Sequence, residues 1–203
     1  MASKKKPTII SFYTDTWEYP SKAESFIAAC HELKIPYHVE RLDDSGSWIG
    51  NTRLKSTFVY NKLEEFMQPV LWVDIDSTIY RPPLDLNPHA DIGLVRTNEN
   101  SLKTFYAGTV YVNYTEMGRE FARRWSECPI EGSDHMALQK IWDEGFVGTL
   151  QCLSPTYCEI EKRDVGPSPN AVIYSGSSKD KDKQKYMRKN PRRRILKRHL
   201  RKR

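Results

Sequence analysis

The chain has no apolar stretch of the length a bilayer crossing requires, which argues against a membrane-spanning protein. Near the amino end the apolar run from Thr8 to Phe12 is short, and Asp15 and Glu18 close it, so no secretory signal is read there. Cysteine is sparse. The four residues, Cys30, Cys128, Cys152 and Cys158, form no C-x-x-C pair. Cys30 and Cys128 fall on apolar helix faces and read as core thiols. Cys152 and Cys158 are near enough to pair, but a reduced state, and with it a cytoplasmic location, is the simpler expectation. No internal repeat is visible.

What is present is charge, unevenly placed. Residues 179–203 hold 14 Lys/Arg against two Asp, a net +12, whereas residues 1–178 hold 18 against 24, a net −6. The basic character therefore belongs to the tail and not to the body. With 203 residues and 38% hydrophobic content, the chain can build one core, and the expected organisation is a single domain over residues 1–178 with a basic tail over 179–203. The tail is too poor in apolar residues to fold alone, although Ile195 to Arg203 can turn helical on a partner.

The body reads as alternating strands and helices. Thr8 to Tyr13 is a buried strand, and Ser21 with Glu24 forms a capping box that opens a helix burying Phe26, Ile27, Cys30 and Leu33. Tyr37 to Arg41 is a second strand; Asn51 to Met67 a second helix with Leu54, Phe58, Leu63 and Phe66 inward; Val70 to Val73 a third strand. This β-α-β-α-β order predicts parallel strands with crossover helices. Strands at Asp91–Arg96, Gly108–Tyr114, Val147–Leu153 and Ala171–Tyr174 follow. Between them lie a helix at Glu116–Glu127 and another capped by Ser133 and stopped by Gly145. The fold class is α/β, a Rossmann-like domain with a mixed, mainly parallel sheet.

The most informative residues are Asp74-Ile75-Asp76, at the end of the most hydrophobic strand in the chain. Two carboxylates spaced by one residue share a side of an extended backbone, and oxygen ligands of this kind suit a hard divalent cation. Ligands of parallel α/β sheets bind beyond the carboxyl ends of the strands. That rule gathers Tyr13, Thr14, Asp44 and the acidic pair on one rim, with a nucleotide base near Tyr13 and Thr14. Asn51, Arg53 and Lys55, at the start of the second helix, are expected to face the same rim, where a helix amino end and a cation suit phosphate. The bland alternatives are a solvated acidic turn and an ordinary charged helix face.

These parts in this order resemble the GT-A fold of nucleotide-diphospho-sugar glycosyltransferases. The resemblance rests on the strand, helix and strand, on Asn51-Thr52-Arg53-Leu54-Lys55, and on Pro69 through Asp76 followed by the break Arg81-Pro82-Pro83. Ala107 to Asn113 resembles the strand that lines the sugar pocket through Gly108, and Ser133 to Leu138 the helix start whose acid reaches a sugar. The resemblance implies Mn²⁺ or Mg²⁺ held by Asp74 and Asp76, with Asp76 also counted as catalytic, and a nucleotide-sugar donor, most commonly a UDP-sugar. It further implies Asp134 as base or sugar-orienting acid. Family members often supply a histidine as third ligand from a late strand; Val172 to Ser178 has none, and His135 is the alternative candidate.

A rival reading is the first motif of haloacid dehalogenase-like phosphatases, with Asp74 as nucleophile, but no Gly-Asp-x-x-x-Asp follows it. A second rival is a non-enzymatic nucleic-acid-binding module. The tail, with Arg192, Arg193, Arg194, Lys197, Arg198 and Arg201, is expected to neutralise phosphates of DNA or another polyanion; a solubilising tail, a nuclear address or membrane-surface contact are the alternatives. Joined to a glycosyltransferase, it suggests a modified base in DNA as acceptor, as in certain bacteriophages, with the host cytoplasm as location and the base flipped out of the stack.

Overall fold

The computed structural model describes residues 6–96, 105–129, 134–160 and 166–175. Ser133 as a helix cap and the whole basic tail, including Arg192, Arg193, Arg194, Lys197, Arg198 and Arg201, lie outside the described residues.

Strand β1 (Thr8–Tyr13) sends Ile9 into one apolar cluster and Ile10 and Phe12 into another, as a strand covered on both faces must. Helix α1 (Tyr19–Glu32) buries Ala23, Phe26 and Cys30 against the first cluster. Helix α2 (Trp48–Phe66) buries Phe58, Val59 and Leu63 in the second. The two crossovers therefore cover opposite faces of the sheet. Strand β2 (Tyr37–Arg41) pairs parallel with β1 on one side, and β3 (Val70–Val73) pairs parallel with it on the other.

The second half adds antiparallel strands. β5 (Ile92–Arg96) and β6 (Phe105–Val112) pair with each other, β6 pairs with β3, and β7 (Leu150–Leu153) closes the edge parallel to β5. Among the described residues the central sheet has the order β2-β1-β3-β6-β5-β7. A small second sheet combines β4 (Thr78–Ile79), β9 (Ile173–Ser175) and β8 (Glu159–Ile160). Helices α3 (Glu116–Glu127) and α4 (Asp134–Asp143) pack Phe121, Trp125, Leu138 and Ile141 into the α2 face. Each such aromatic or aliphatic side chain contributes roughly 1.5–3 kcal/mol by burial. The mixed, mainly parallel α/β domain expected from the sequence is what forms.

Three local expectations are corrected. The Ser21 capping box does not form: α1 begins at Tyr19 after Glu18, with Pro20 in its first turn, and Ser21 Oγ donates to Glu18 O at 2.9 Å. Proline's fixed φ suits a first turn, so it moves the helix start upstream of the serine. Helix α2 begins three residues before Asn51, because Ser47 accepts from Gly50 N at 3.0 Å and caps it. The strand expected from Gly108 instead starts at Phe105 and carries an irregularity. Leu94 pairs with Val110 but the adjacent Val95 pairs with Tyr106, so Ala107, Gly108 and Thr109 bulge out of the β5 ladder.

Helix α3 is seated by a glycine. A Cβ at Gly118 would lie 2.1 Å from Asn113 O and 3.0 Å from Asp91 O, both backbone atoms. Alanine's better helix propensity, about 1 kcal/mol, opposes this clash. Overpacking against main chain wins, and Gly118→Ala is expected to destabilise the fold by about 1–3 kcal/mol, read as a lower urea midpoint.

Candidate active site

At the carboxyl ends of β1 and β3 a cleft of about 280 Å³ opens. Tyr13, Thr14, Asn51, Lys55, Asp74, Asp76, Gly108 and Asp134 all line it. Two expected members do not. Arg53 is exposed on α2 outside the lining, and Asp44 lies behind Asn51, accepting from its Nδ2 at 2.7 Å and from Gly46 N at 3.2 Å. Asn51 Oδ1 accepts from Ser45 N and Ser45 Oγ at 2.9 and 2.7 Å, so Asp44 and Asn51 together build the loop that leads into α2.

The acidic pair is not extended strand. β3 ends at Val73, and Asp74 to Ser77 form a turn closed by Ser77 N donating to Asp74 O at 3.0 Å. The buried Ile75 anchors this turn in the α1-side core, and both acids remain at the cleft. Asp74 Oδ1 accepts from Trp72 Nε1 at 2.9 Å and pairs with Lys55 Nζ at 2.7 Å. The second oxygen, Oδ2, lies 3.3 Å from the position a Cβ on Gly108 would take, so any side chain there would crowd it.

Lys55 is the hub. Its side chain is 6% exposed, and the ammonium reaches Asp74 Oδ1, Asp134 Oδ2 at 2.5 Å and Ala107 O at 3.0 Å. An ammonium has three N–H donors, and all three are committed. The phosphate-binding role expected of it gives way to another: it ties the β3 turn, the start of α4 and the β6 bulge together. Burial alone would push this lysine's pKa down, but the charges of Asp134 and Asp74 outweigh it and hold it above the ordinary value. Burial likewise pushes Asp134 up, and the Lys55 ammonium, aided by the His135 backbone N–H that donates to Oδ1, more than reverses that, so Asp134 stays ionised below the usual carboxylate range. A carboxylate held so acidic orients a hydroxyl better than it removes a proton.

Asp74 moves the other way. Burial raises its pKa, Lys55 opposes, and the like charges of Asp76 and Asp134 add to the rise. Asp74 and Asp134 thus share the Lys55 ammonium between them. Asp74 Oδ2 and Asp76 are hard oxygen donors, and a small divalent cation commonly binds through one or two carboxylates plus substrate phosphates. The residues fit such an ion. Among the described residues no group of three His, Cys, Asp or Glu gathers as a metal site. Cys158, against the same floor, is kept a neutral thiol by burial, its pKa pushed up to about 11.

Sequence reasoning did not single out Trp72 as a partner of Asp74, nor Tyr19, Tyr106, Cys158 and Ser175 as walls of the cleft. The alternation Trp72-x-Asp74 was the available signal for the first. His135, expected as a metal ligand if anything, has Nδ1 engaged by the backbone of β6, with Ala107 N and Phe105 O each 3.0 Å away. All four cysteines are free, Cys30 and Cys158 buried and Cys152 exposed. No helix among the described residues is long and apolar enough to cross a membrane.

This arrangement is the GT-A-like fold. A glycosyltransferase involved in the glycosylation of the major capsid of PBCV-1 superposes with a TM-score of 0.63 at 15% identity, over 88% of this chain and 98% of its own. The glycosyltransferase GlyE of Streptococcus pneumoniae TIGR4 gives 0.56 at 17% identity over 86% of this chain and 56% of its own. Mouse xyloside xylosyltransferase 1 gives 0.53 at 12%, over 84% of this chain and 97% of its own. No family model matches the sequence. No curated protein matches it either.

Proposed function

We propose that the chain is a metal-dependent glycosyltransferase that moves a sugar from a nucleotide diphosphate to an acceptor hydroxyl. The observation that carries this reading is the acidic turn Asp74–Asp76 at the cleft, its first carboxylate tied through Lys55 to Asp134. Three solved structures that share the fold are glycosyltransferases, which weighs against the phosphatase and the pure binding-module alternatives.

Mn²⁺ or Mg²⁺ on Asp74 Oδ2 and Asp76 would neutralise charge on the departing diphosphate. The chain's own residues do the rest. Tyr13, Thr14 and Tyr19 form the wall available to a nucleoside base, and the backbone at Gly108 lets the sugar approach Asp74 closely. Lys55 fixes Asp134 and Asp74 relative to each other, and ionised Asp134 accepts a hydrogen bond from a sugar or acceptor hydroxyl. We assign this role to Asp134 in preference to that of general base, and keep Asp76 as a metal ligand.

The specific acceptor we propose is a modified nucleobase in DNA, with the tail 179–203 as a separate phosphate-binding appendage to the domain over 1–178. Support comes from charge alone, the +12 of the tail against the −6 of the body. The reduced cysteines suit a cytoplasmic setting. The test is incubation with Mn²⁺ and a panel of UDP- and GDP-sugars, with and without hydroxymethylated duplex DNA, following release of nucleoside diphosphate. Release from one donor, accelerated by the duplex, is the expected result. Release unaffected by any DNA discards the acceptor and keeps the enzyme; no release from any donor discards both.

A further inference from the structure

We infer that His135 is a fixed hydrogen-bond donor to a sugar hydroxyl, its Nε2–H presented to the cleft beside Asp134 because the bulge in β6 claims Nδ1. The inference rests on the glycosyltransferase reading and names a residue that would select among its substrates.

Displacing Ala107 to Thr109 from the β5 ladder takes away their partners on that side, although Gly108 O still accepts from Asp74 N and Thr109 still pairs with Val73 on the other, and a buried N–H without an acceptor is costly. Ala107 is wholly buried, and its N–H donates to His135 Nδ1 at 3.0 Å. Phe105 O is also 3.0 Å from that nitrogen. One imidazole nitrogen cannot accept from the first and donate to the second. A carbonyl tolerates an unused lone pair better than a buried N–H tolerates having no acceptor. Nδ1 therefore accepts, and the ring N–H is at Nε2.

Nε2 lies 3.8 Å from Asp134 Oδ1, beyond direct hydrogen-bond reach, and the imidazole is 39% exposed in the cleft wall. The other Asp134 oxygen is held by Lys55, and Oδ1 accepts from the His135 backbone N–H at 3.1 Å, which leaves it a second lone pair. The gap between Nε2–H and Oδ1 thus offers one donor and one acceptor, which a single hydroxyl satisfies by accepting from the histidine and donating to the carboxylate. The edge-on Tyr106 ring, with centroids 6.0 Å apart, braces the imidazole. The hydroxyl belongs either to the sugar being transferred or to the acceptor.

Two measurements on the full chain decide this. Long-range ¹H–¹⁵N spectra of histidine-labelled protein, with the signal assigned by its loss in His135→Gln, are expected to show Nε2 protonated and Nδ1 bare. The opposite tautomer overturns the inference. Calorimetry with Mn²⁺ then compares UDP with UDP-glucose and UDP-galactose for the wild type, His135→Phe and His135→Gln. If the hydroxyl is the donor's, His135→Phe weakens a UDP-hexose about tenfold, the size of one hydrogen bond, and leaves UDP unchanged. If it is the acceptor's, both bind as before, and the KM for a hydroxymethylcytosine duplex rises by a similar factor at unchanged kcat. His135→Gln, which keeps an N–H donor, restores most of either loss. Equal weakening of UDP itself, or no change in either arm, overturns the assignment. A wild type that shows the Nε2–H signal yet binds no nucleotide-sugar sinks the functional reading and the hydroxyl with it, leaving only the tautomer.

Discussion

The double variant Asp74→Asn, Asp76→Asn is expected to lose at least about a thousandfold in metal-dependent turnover while remaining folded. Cation assistance to a leaving phosphate is a contribution of several kcal/mol, and about 4 kcal/mol corresponds to three decades in rate. The fold should tolerate the change because an asparagine in place of Asp74 keeps an oxygen for Trp72 Nε1 and Lys55, and because the substitution removes like charges that push against one another around Asp134. Circular dichroism and a melting point within a few degrees of wild type verify that only the chemistry is lost. DNA retention by the tail should be untouched. A variant with full turnover would remove the acidic pair from the mechanism.

Lys55→Met is expected to have the largest effect on stability. The substitution keeps most of the side chain's apolar length but leaves Asp134 Oδ2 and Asp74 Oδ1 facing each other with nothing between them. Breaking a buried ion pair on one side costs about 3–5 kcal/mol. For a chain of this size that is a fall of roughly 6–20 °C in Tm. A second effect separates charge from packing. Because the substitution removes the ammonium that Asp74 and Asp134 share, millimolar Mn²⁺ should recover part of the lost stability in Lys55→Met and add less to the wild type. An unchanged Tm would show that Lys55 is an ordinary solvated cation after all.

Much of the scaffold was legible because it is written in local pattern. Val70 to Val73 is apolar at every position and is buried at every position; the spacing of Phe58 and Leu63 gives the buried face of α2. Asp74, Asp76, Tyr13 and Thr14 could be placed on one rim by topology, since strand ends in such sheets converge; Asn51 followed from its place at a helix start and Gly108 from the family resemblance. What escaped depends on distance along the chain. Lys55 and Asp134 are separated by 79 positions, and no periodicity links them. The β6 bulge is a property of pairing with β5 and leaves no mark in the β6 residues beyond Gly108. Strands of two residues, β4 and β8, are too short for alternation to register, whereas the strand expected at Ala171–Tyr174 overlaps β9. The Ser21 box failed for a local reason, because Pro20 beside it could begin the helix earlier.

The third ligand of the expected metal site illustrates the same division. A late-strand histidine is absent from the sequence, and the structure places Ser175 at that end of β9, in the cleft, with its Oγ 3.2 Å from Ser77 Oγ. The neutral thiol of Cys158 beside it supplies no negative charge. A cation held, as proposed, by two carboxylates and the donor's own phosphates would bind in dependence on nucleotide, so Mn²⁺ affinity should rise severalfold when UDP is present, measurable by calorimetry in either order of addition.

The most direct test is anomalous diffraction from crystals soaked with Mn²⁺ and UDP. A manganese peak within about 2.3 Å of Asp74 Oδ2 and an Asp76 oxygen, shared with a phosphate oxygen of the nucleotide, is the result expected. Manganese bound elsewhere, or UDP seated in the cleft with no manganese at the turn that follows β3, would contradict it.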